Sequence, residues 1–193
     1  MLLLGELFLV KSSLVGNLLI APPIIKTGFW AKSVALVTEH SKYSIGVILN
    51  KRSQVTLKEF GVQLGFKLNY PGFMYVGGPV NVRNLILLHS SEWTSGNMMC
   101  INDDISLSSD EEILPRLSIG DTPKKWRLFL GLCRWTDGQL EEEIYGEYPP
   151  DQNVSWCIAQ ANQKLIFDSD LDQQWAKSLD QAGLEFSQKM LDY

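Results

Sequence analysis

The sequence lacks the motifs that mark several functional classes. Its three cysteines, Cys100, Cys133 and Cys157, form no C-x-x-C pair, which excludes a zinc ribbon and a thioredoxin-like motif. No G-x-S-x-G or H-E-x-x-H occurs, so the usual hydrolase and zinc-protease signatures are absent. Positive charge is in deficit: 17 lysines and arginines face 22 aspartates and glutamates, a net charge of −5. Because an acidic surface repels phosphate at long range, a general nucleic-acid coat is not expected.

Long apolar runs are also missing. The longest uncharged stretch near the N-terminus, residues 12–25, is too short to span a bilayer and contains Pro22 and Pro23. Residues 1–10 are apolar, but Glu6 interrupts them and no basic region precedes them, which disfavours a cleaved signal peptide. Together with the scattered cysteines, this predicts a cytoplasmic protein with free thiols and no membrane association.

What is present is the composition of a globular protein, with 45% hydrophobic and 20% charged residues among 193. No repeat, low-complexity run or Gly/Ser-rich linker divides the chain. We therefore expect one domain at residues 17–193, preceded by an N-terminal extension at residues 1–16.

Short apolar, β-branched runs mix with amphipathic segments. The runs predict strands at residues 18–21, 33–38, 45–50, 73–76, 85–88, 98–101, 126–133, 154–158 and 165–167. The amphipathic segments predict helices at residues 56–64, 137–146 and 170–182, the last one stopped by Gly183, and a short helix after the capping-box pair Ser109 and Glu112. Strict βαβ alternation is absent, so we expect an α+β or mixed α/β fold, not a doubly wound one.

Several short motifs follow one another in a specific order. They are Glu39-His40, Gly46 through Asn50, Gly77-Gly78-Pro79-Val80, Leu88-His89, and Gly131 through Trp135 to Gly138-Gln139-Leu140-Glu141. In this order, residues 17–183 resemble the AlgH/YqgE family of bacterial proteins. The resemblance implies a single domain with a mixed sheet, partly curled into a small barrel and flanked by helices. It implies no established enzymatic activity and no cofactor, and the family name is linked to transcriptional regulation in one lineage.

Two departures from the family pattern concern cysteine. The position before the Glu-His pair is often cysteine in the family, and here it is Thr38. The segment after the long strand usually holds small residues, and here it holds Cys133 and Arg134. A thiol-based function is therefore not carried over to this chain, and we expect Cys133 to be a buried, inert thiol.

The polar residues that end the predicted strands are the candidate site. We expect Glu39, His40, Asn50, Gly77, Gly78 and His89 to surround one ligand pocket, because they end neighbouring predicted strands. Gln139 and Glu141 are further candidates, at the start of a helix whose predicted N-cap is Thr136 or Asp137.

Each candidate also has a structural interpretation. The two histidines, His40 and His89, can cap strand ends by hydrogen bonding to the backbone, and they are too few to predict a metal site. Gly77 and Gly78 can form a turn that redirects the chain between two strands.

We expect a non-enzymatic regulatory or interaction module with a small-ligand pocket, a protein or small-molecule partner and no cofactor or metal. Two alternatives remain open. One is a DNA-associated regulator that uses a local basic patch, either Lys51, Arg52 and Lys58 or Lys124, Lys125 and Arg127. The other is a hydrolase that uses His40 and Glu39.

Overall fold

The computed structural model describes residues 13–147 and 155–191 of the chain. In these residues there are ten strands: β1 (Asn17–Ile20), β2 (Val34–His40), β3 (Ser44–Ile48), β4 (Arg52–Thr56), β5 (Phe73–Val76), β6 (Val80–Ser90), β7 (Met98–Cys100), β8 (Ile105–Ser108), β9 (Trp126–Trp135) and β10 (Cys157–Gln160). There are five helices: α1 (Leu57–Gln63), α2 (Ile113–Ser118), α3 (Gln139–Tyr145), α4 (Gln163–Phe167) and α5 (Leu171–Leu191).

All ten strands belong to one sheet. Its main path has the order β10-β1-β2-β3-β9-β6-β8-β7, and β4 and β5 form an antiparallel pair that joins the sheet through β9. Every pairing is antiparallel except that of β5 with β9, so the sheet is mixed. The sheet curls into a half-barrel, which confirms the expected α+β fold class.

Both faces of the sheet are covered, as the alternation of strand side chains shows. Leu36 of β2 lies in one apolar cluster with Leu18, while its neighbours Ala35 and Val37 lie in another with Leu19. Since successive side chains of a strand point to opposite faces, each face of the sheet has its own core. A third cluster packs α1 and α2 against the sheet around Leu128.

A glycine in β9 shifts this alternation. Phe129 and Leu132 belong to the same cluster although they are three residues apart, and Gly131 between them has a φ of +76°. The pairing of β6 with β9 also changes register across this point. An inserted residue of this kind is a β-bulge, which bends the strand and lets one strand contribute to two sides of the curled sheet.

The first predicted capping box is confirmed. The Thr56 side chain accepts a hydrogen bond from the backbone N–H of Glu59, whose carboxylate accepts one from the backbone N–H of Thr56. The second is wrong, because α2 begins only at Ile113, after an N-cap at Glu112 that makes no side-chain cap bond. The later start places Pro115 in the first turn, where its missing N–H removes no helical bond.

Two other element predictions are also wrong, and two strands were missed. Residues 165–167 belong to helix α4, whose N-cap Asn162 accepts from the backbone N–H of Leu165. Helix α5 continues through Gly183 to Leu191, since a helical glycine costs only about 1 kcal/mol and need not end the helix. Strands β4 and β8 were not predicted, and β10 begins at Cys157, three residues after the predicted start.

Of the predicted N-terminal extension, residues 1–12 lie outside the described residues. Leu14 is buried against the core cluster of Val37 and Trp135. The backbone N–H of Gly16 donates to the carbonyl of Val37. Residues 13–16 are therefore packed on the sheet, while the boundary at residue 16 stays a prediction.

Candidate functional site

At the end of β2, the side chain of His40 contacts the first residue of β3 and helix α3. His40 Nδ1 lies 2.9 Å from the Ser44 hydroxyl, and Nε2 lies 3.6 Å from Oε1 of Glu141. A serine, a histidine and a carboxylate that contact one another in this order resemble the components of a nucleophilic catalytic site. However, Ser44 is only 2% exposed, so its hydroxyl is shielded from a substrate and serves to orient the imidazole.

The start of α3 holds a second polar cluster. The side-chain oxygen of Gln139 accepts from the backbone N–H and the hydroxyl of Thr136, and its amide donates to Glu143. The carboxylate of Glu143 also accepts from the indoles of Trp135 and Trp156, at 2.9 and 2.8 Å. Glu143 thus ties β9 and the segment before β10 to this helix, a role that sequence reasoning missed.

The predicted N-cap of this helix is wrong. Neither Thr136 nor Asp137 caps it: the N-cap is Gly138, in a left-handed conformation with a φ of +75° and no side-chain cap bond. A left-handed residue at this place favours glycine, which has no side chain to clash. The Gln139 side chain instead turns back to Thr136.

Glu39 does not join His40. Adjacent residues of a strand point to opposite faces, and Glu39 lines a separate cavity of about 630 Å³ together with Arg83 and Leu132. The carboxylate paired with His40 is that of Glu141, so a site built on His40 and Glu39 is not formed.

His89 lies inside the protein. Its side chain has no exposed surface, Nε2 is 2.9 Å from the Ser108 hydroxyl, and Nδ1 is 2.9 Å from the Ser90 carbonyl oxygen. Burial lowers the pKa of His89, against an opposing effect of its bond to Ser90. Both ring nitrogens are engaged within the chain, which matches the structural interpretation of this residue.

Asn50 connects backbone to backbone. Its oxygen accepts from the N–H of Val34 at 3.0 Å, and its amide donates to the carbonyl of Lys32 at 2.7 Å. Lys32 has a φ of +52°, an uncommon conformation for a residue with a side chain. Asn50 therefore fixes the turn that leads into β2.

The diglycine allows two backbones to approach closely. A Cβ on Gly77 would lie 2.2 Å from the carbonyl oxygen of Gly131, and one on Gly78 would lie 2.1 Å from the carbonyl carbon of Leu132. The N–H of Gly77 also donates to Leu130. The chain passes from β5 to β6 across the bulge of β9, where any side chain would collide.

The prediction that these residues surround one hollow is wrong. Through β3, His40 lies beside Trp135 at one end of β9, whereas His89 pairs with Trp126 at the other end. Those ends are nine residues apart, about 30 Å in an extended strand. Gly77 and Gly78 lie between them at the bulge of β9, Glu39 lines its own cavity, and Asn50 lies at the turn into β2. The candidates therefore occupy five separate places, and ligand binding by any of them stays a prediction.

A different cavity contains a buried charge. It has a volume of about 580 Å³ and lies between β5 and the segment before it, the start of β9 and the connection from α4 to α5. Arg127, at its wall, is 7% exposed. We call this space the Arg127 cavity. Its polar lining residues include Lys124, Lys125, Asp168 and Asp170, and its aromatic ones Tyr70, Phe73, Tyr75, Trp126 and Phe167.

The guanidinium of Arg127 is held by neutral oxygens. One nitrogen donates to the Leu49 carbonyl and to the Gln174 side chain, each at 3.0 Å, and the other lies 3.5 Å from the Ser169 carbonyl. Its carbon lies 5.1 Å from the centre of the Tyr75 ring, a cation–π distance. Burial lowers the pKa of Arg127, although an arginine stays charged at neutral pH.

One feature of the sequence points to this cavity. Arg127 is the single charged residue in the apolar run from Trp126 to Cys133, which the sequence predicts to be a buried strand. A charge within a buried strand must find compensating groups or face a desolvation cost of several kcal/mol. That rule would have selected Arg127 as a candidate.

The three cysteines are free thiols: Cys100 is exposed, Cys157 half-buried and Cys133 buried. Burial raises the pKa of Cys133 to about 12, and the nearby Glu143 acts in the same direction. Because the thiolate is the reactive form, Cys133 is unreactive at neutral pH, as expected.

Over residues 13–147 and 155–191, no group of three or more histidine, cysteine and acidic side chains is placed to hold a metal ion. Within the same residues, no helix is both long and apolar enough to cross a membrane.

The family model described as AlgH-like, DUF179, matches residues 18–187. The chain belongs to the AlgH-like family. A UPF0301 protein of Xylella fastidiosa is 30% identical over 186 residues, covering 94% of this chain and 95% of the relative. One of Gluconobacter oxydans is 31% identical over 176 residues, covering 88% and 91%.

Solved structures agree with this assignment of the AlgH-like fold. The solution structure of the AlgH protein from Pseudomonas aeruginosa matches with a TM-score of 0.71 and 24% identity, over 90% of both chains. The crystal structure of a protein from Corynebacterium diphtheriae matches with a TM-score of 0.65 and 24% identity, over 86% of both. At 24% identity, the likeness to these two structures shows a shared fold and nothing about function.

Proposed function

We propose that this AlgH-like protein is a non-enzymatic regulatory or interaction module, and that its small ligand binds in the Arg127 cavity. The observation that carries the proposal is the burial of a charged guanidinium beside a cavity of about 580 Å³. Small-molecule sites have volumes of roughly 300–1,000 Å³, with apolar walls and a few placed polar groups. The aromatic lining and the arginine have this character.

The position of the cavity supports a regulatory role. Its wall includes Leu57 of α1, Phe73 of β5, Arg127 of β9 and Leu171 of α5, so one ligand would touch four elements that are distant in sequence. Arg127 also holds Gln174 of α5, whose side chain is fully buried. A ligand that binds one arrangement of these elements better than another shifts their equilibrium, and a partner can read that shift.

The environment of the histidines supports a role without catalysis. The hydroxyl nearest to His40 belongs to Ser44, which is buried. Both nitrogens of His89 bond within the chain, so this ring has no lone pair or proton to offer a substrate. These contacts favour a binding module over the alternative of a hydrolase.

The basic cluster at the cavity gives little support to the alternative of DNA binding. Arg127 is buried, and Lys125 pairs with Asp168 at 2.6 Å. A phosphate backbone needs accessible, unpaired cations along a surface. We therefore place this cluster in a small-ligand site.

We also propose a cytoplasmic location. The support is the set of three free thiols, including the exposed Cys100, which persist in a reducing compartment.

A thermal-shift screen of a small-molecule library tests the proposed function. A ligand at 100 times its Kd stabilises the folded state by about 2.7 kcal/mol, which raises the Tm of a chain of this size by about 5–10 °C. Leu171→Trp should abolish the shift, since the larger side chain fills the cavity from the start of α5.

The matched control is Leu184→Trp, at an exposed position of the same helix. It should respond to ligands like the unmodified protein. If hits shift Leu171→Trp as strongly as they shift the control, they bind elsewhere and the proposal is wrong. The proposal is equally wrong if no compound in a broad library shifts the unmodified protein.

A further inference from the structure

We infer that the ligand of the Arg127 cavity is a small organic anion, a carboxylate or phosphate that carries a flat apolar group. This inference rests on the proposed function and names the class of molecule that it requires. It places the anionic group at Arg127 and Lys124 and the apolar group against the aromatic lining.

The first argument is the charge of Arg127. In the part of the chain that the structure describes, no carboxylate lies within 4.0 Å of its guanidinium. Its partners are two carbonyls and the amide oxygen of Gln174, which accept its hydrogen bonds and leave its net charge in place. A negative charge does act on Arg127 from farther away: against the larger effect of burial, Asp168 raises the pKa of Arg127, but its carboxylate is itself paired with Lys125 at 2.6 Å. A buried cation without a counterion in direct contact is unfavourable, and an anion in the cavity would reduce that cost.

The second argument is the charge of the whole lining. Three cations, Lys124, Lys125 and Arg127, face two carboxylates, Asp168 and Asp170. This local excess of positive charge lies in a protein whose net charge is −5. The balance favours a ligand of one or two negative charges, since the carboxylates would repel a more highly charged one.

The third argument concerns the apolar part of the ligand. Tyr70 and Trp126 meet edge to face with ring centres 5.2 Å apart, and the ring of Tyr75 packs on that of Phe129 at a tilt of 41°, also with centres 5.2 Å apart. These contacts hold the rings in place at the cavity wall. Rigid aromatic faces bind flat apolar groups at a low entropic cost.

The Lys125–Asp168 pair predicts how the ligand competes. Asp168 is the C-cap of α4, and its carboxylate accepts a hydrogen bond from the Lys125 ammonium at the cavity. An anion that approaches Lys125 must displace or tolerate this carboxylate. Neutralising Asp168 should therefore strengthen anion binding, an effect that a merely structural ion pair does not produce.

Titration calorimetry with four compounds tests the inference: benzoate, phenyl phosphate, inorganic phosphate and the neutral benzamide. Benzoate or phenyl phosphate should bind at least about tenfold more tightly than benzamide, because charge-assisted hydrogen bonds are lost with the neutral group. Inorganic phosphate should bind more weakly than phenyl phosphate, since it lacks the ring. The stronger of the two aromatic anions shows which anionic group the site takes.

Two substitutions at accessible positions avoid the risk that a variant of buried Arg127 fails to fold. Lys124→Gln should weaken binding of the aromatic anion by about threefold, and Asp168→Asn should strengthen it by about threefold. Lys177→Gln, an exposed lysine on α5 outside the cavity, is the matched control and should change nothing.

The outcomes separate this inference from the proposed function. Equal binding of benzamide and benzoate, or none by either aromatic anion, overturns the anion inference. A library hit that is neutral and that Leu171→Trp abolishes would leave the proposed function standing without it. Loss of affinity in Asp168→Asn would also contradict the inference, because it would make the carboxylate a ligand contact.

Discussion

Replacing Glu143 with glutamine should destabilise the protein by about 2–4 kcal/mol. One carboxylate oxygen accepts from both Trp135 and Trp156, and the other accepts from the amide of Gln139. Glutamine keeps one acceptor oxygen, so the hydrogen bonds from the two indoles lose their charge assistance. Its NH₂ group replaces the oxygen that accepts from Gln139, and two amide NH₂ groups then face each other. Hydrogen bonds to charged groups contribute about 1.5–3 kcal/mol and neutral ones about 0.5–1.5 kcal/mol, and the three changes together give the stated range.

Urea denaturation followed by tryptophan fluorescence measures this loss as the change in the free energy of unfolding. The control is Glu142→Gln, which removes the same charge from an exposed neighbour on the same helix and should change stability by less than about 0.5 kcal/mol. If the two variants have equal stability, the bonds to Glu143 do not stabilise the native state and the reasoning fails.

Further predictions concern buried titratable groups. With a thiol reagent at pH 8, exposed Cys100 should react first, Cys157 more slowly and Cys133 only on unfolding; rapid labelling of native Cys133 would contradict its burial. Because burial raises the pKa of Cys133 from 9.0 to about 12, the native state keeps a proton that the unfolded chain loses, so stability should fall as pH rises through that window, with a flatter fall in Cys133→Ala. Because burial lowers the pKa of His89 below 6.5, the unfolded chain takes up a proton that the native state refuses as pH falls. The free energy of unfolding should then decline by up to about 1.4 kcal/mol per pH unit, and it should decline less steeply in His89→Gln. Identical slopes in the two proteins would refute this prediction.

Local chemistry allowed part of the fold to be predicted from the sequence. Thr56 and Glu59 satisfy each other's backbone N–H groups within one turn, so the start of α1 does not depend on the rest of the chain. The run from Leu165 to Phe167 is different, because three apolar residues fit a buried strand and a buried helix equally well. There the deciding group is Asn162, whose side chain begins a helix three residues earlier.

The candidate site failed for a topological reason. Grouping His40 with His89 assumed that the strands they end run in the same direction, as in a parallel sheet. Here β2, β3, β9 and β6 are successive antiparallel neighbours, so β2 and β6 run in opposite directions. Their last residues therefore lie at opposite ends of the sheet, as measured along the strands. The pairing of His40 with Glu141 joins residues about a hundred positions apart, and no local pattern contains it.

Arg127 shows how far a local pattern can reach. Its place in an apolar strand is visible in the sequence, and burial of that strand requires that the charge be compensated. The groups that hold it come from Leu49, Ser169 and Gln174, between 42 and 78 residues away, so only the folded chain reveals them. These oxygens satisfy the hydrogen-bonding requirement of the guanidinium, but none of them carries a full negative charge. The carboxylate of Asp168, whose charge does act on Arg127, is paired with Lys125. A buried charge is stabilised by an opposite charge in contact with it, and this rule, which selects Arg127 in the sequence, also favours an anion in the structure. The cavity beside the guanidinium is where an anion would fit.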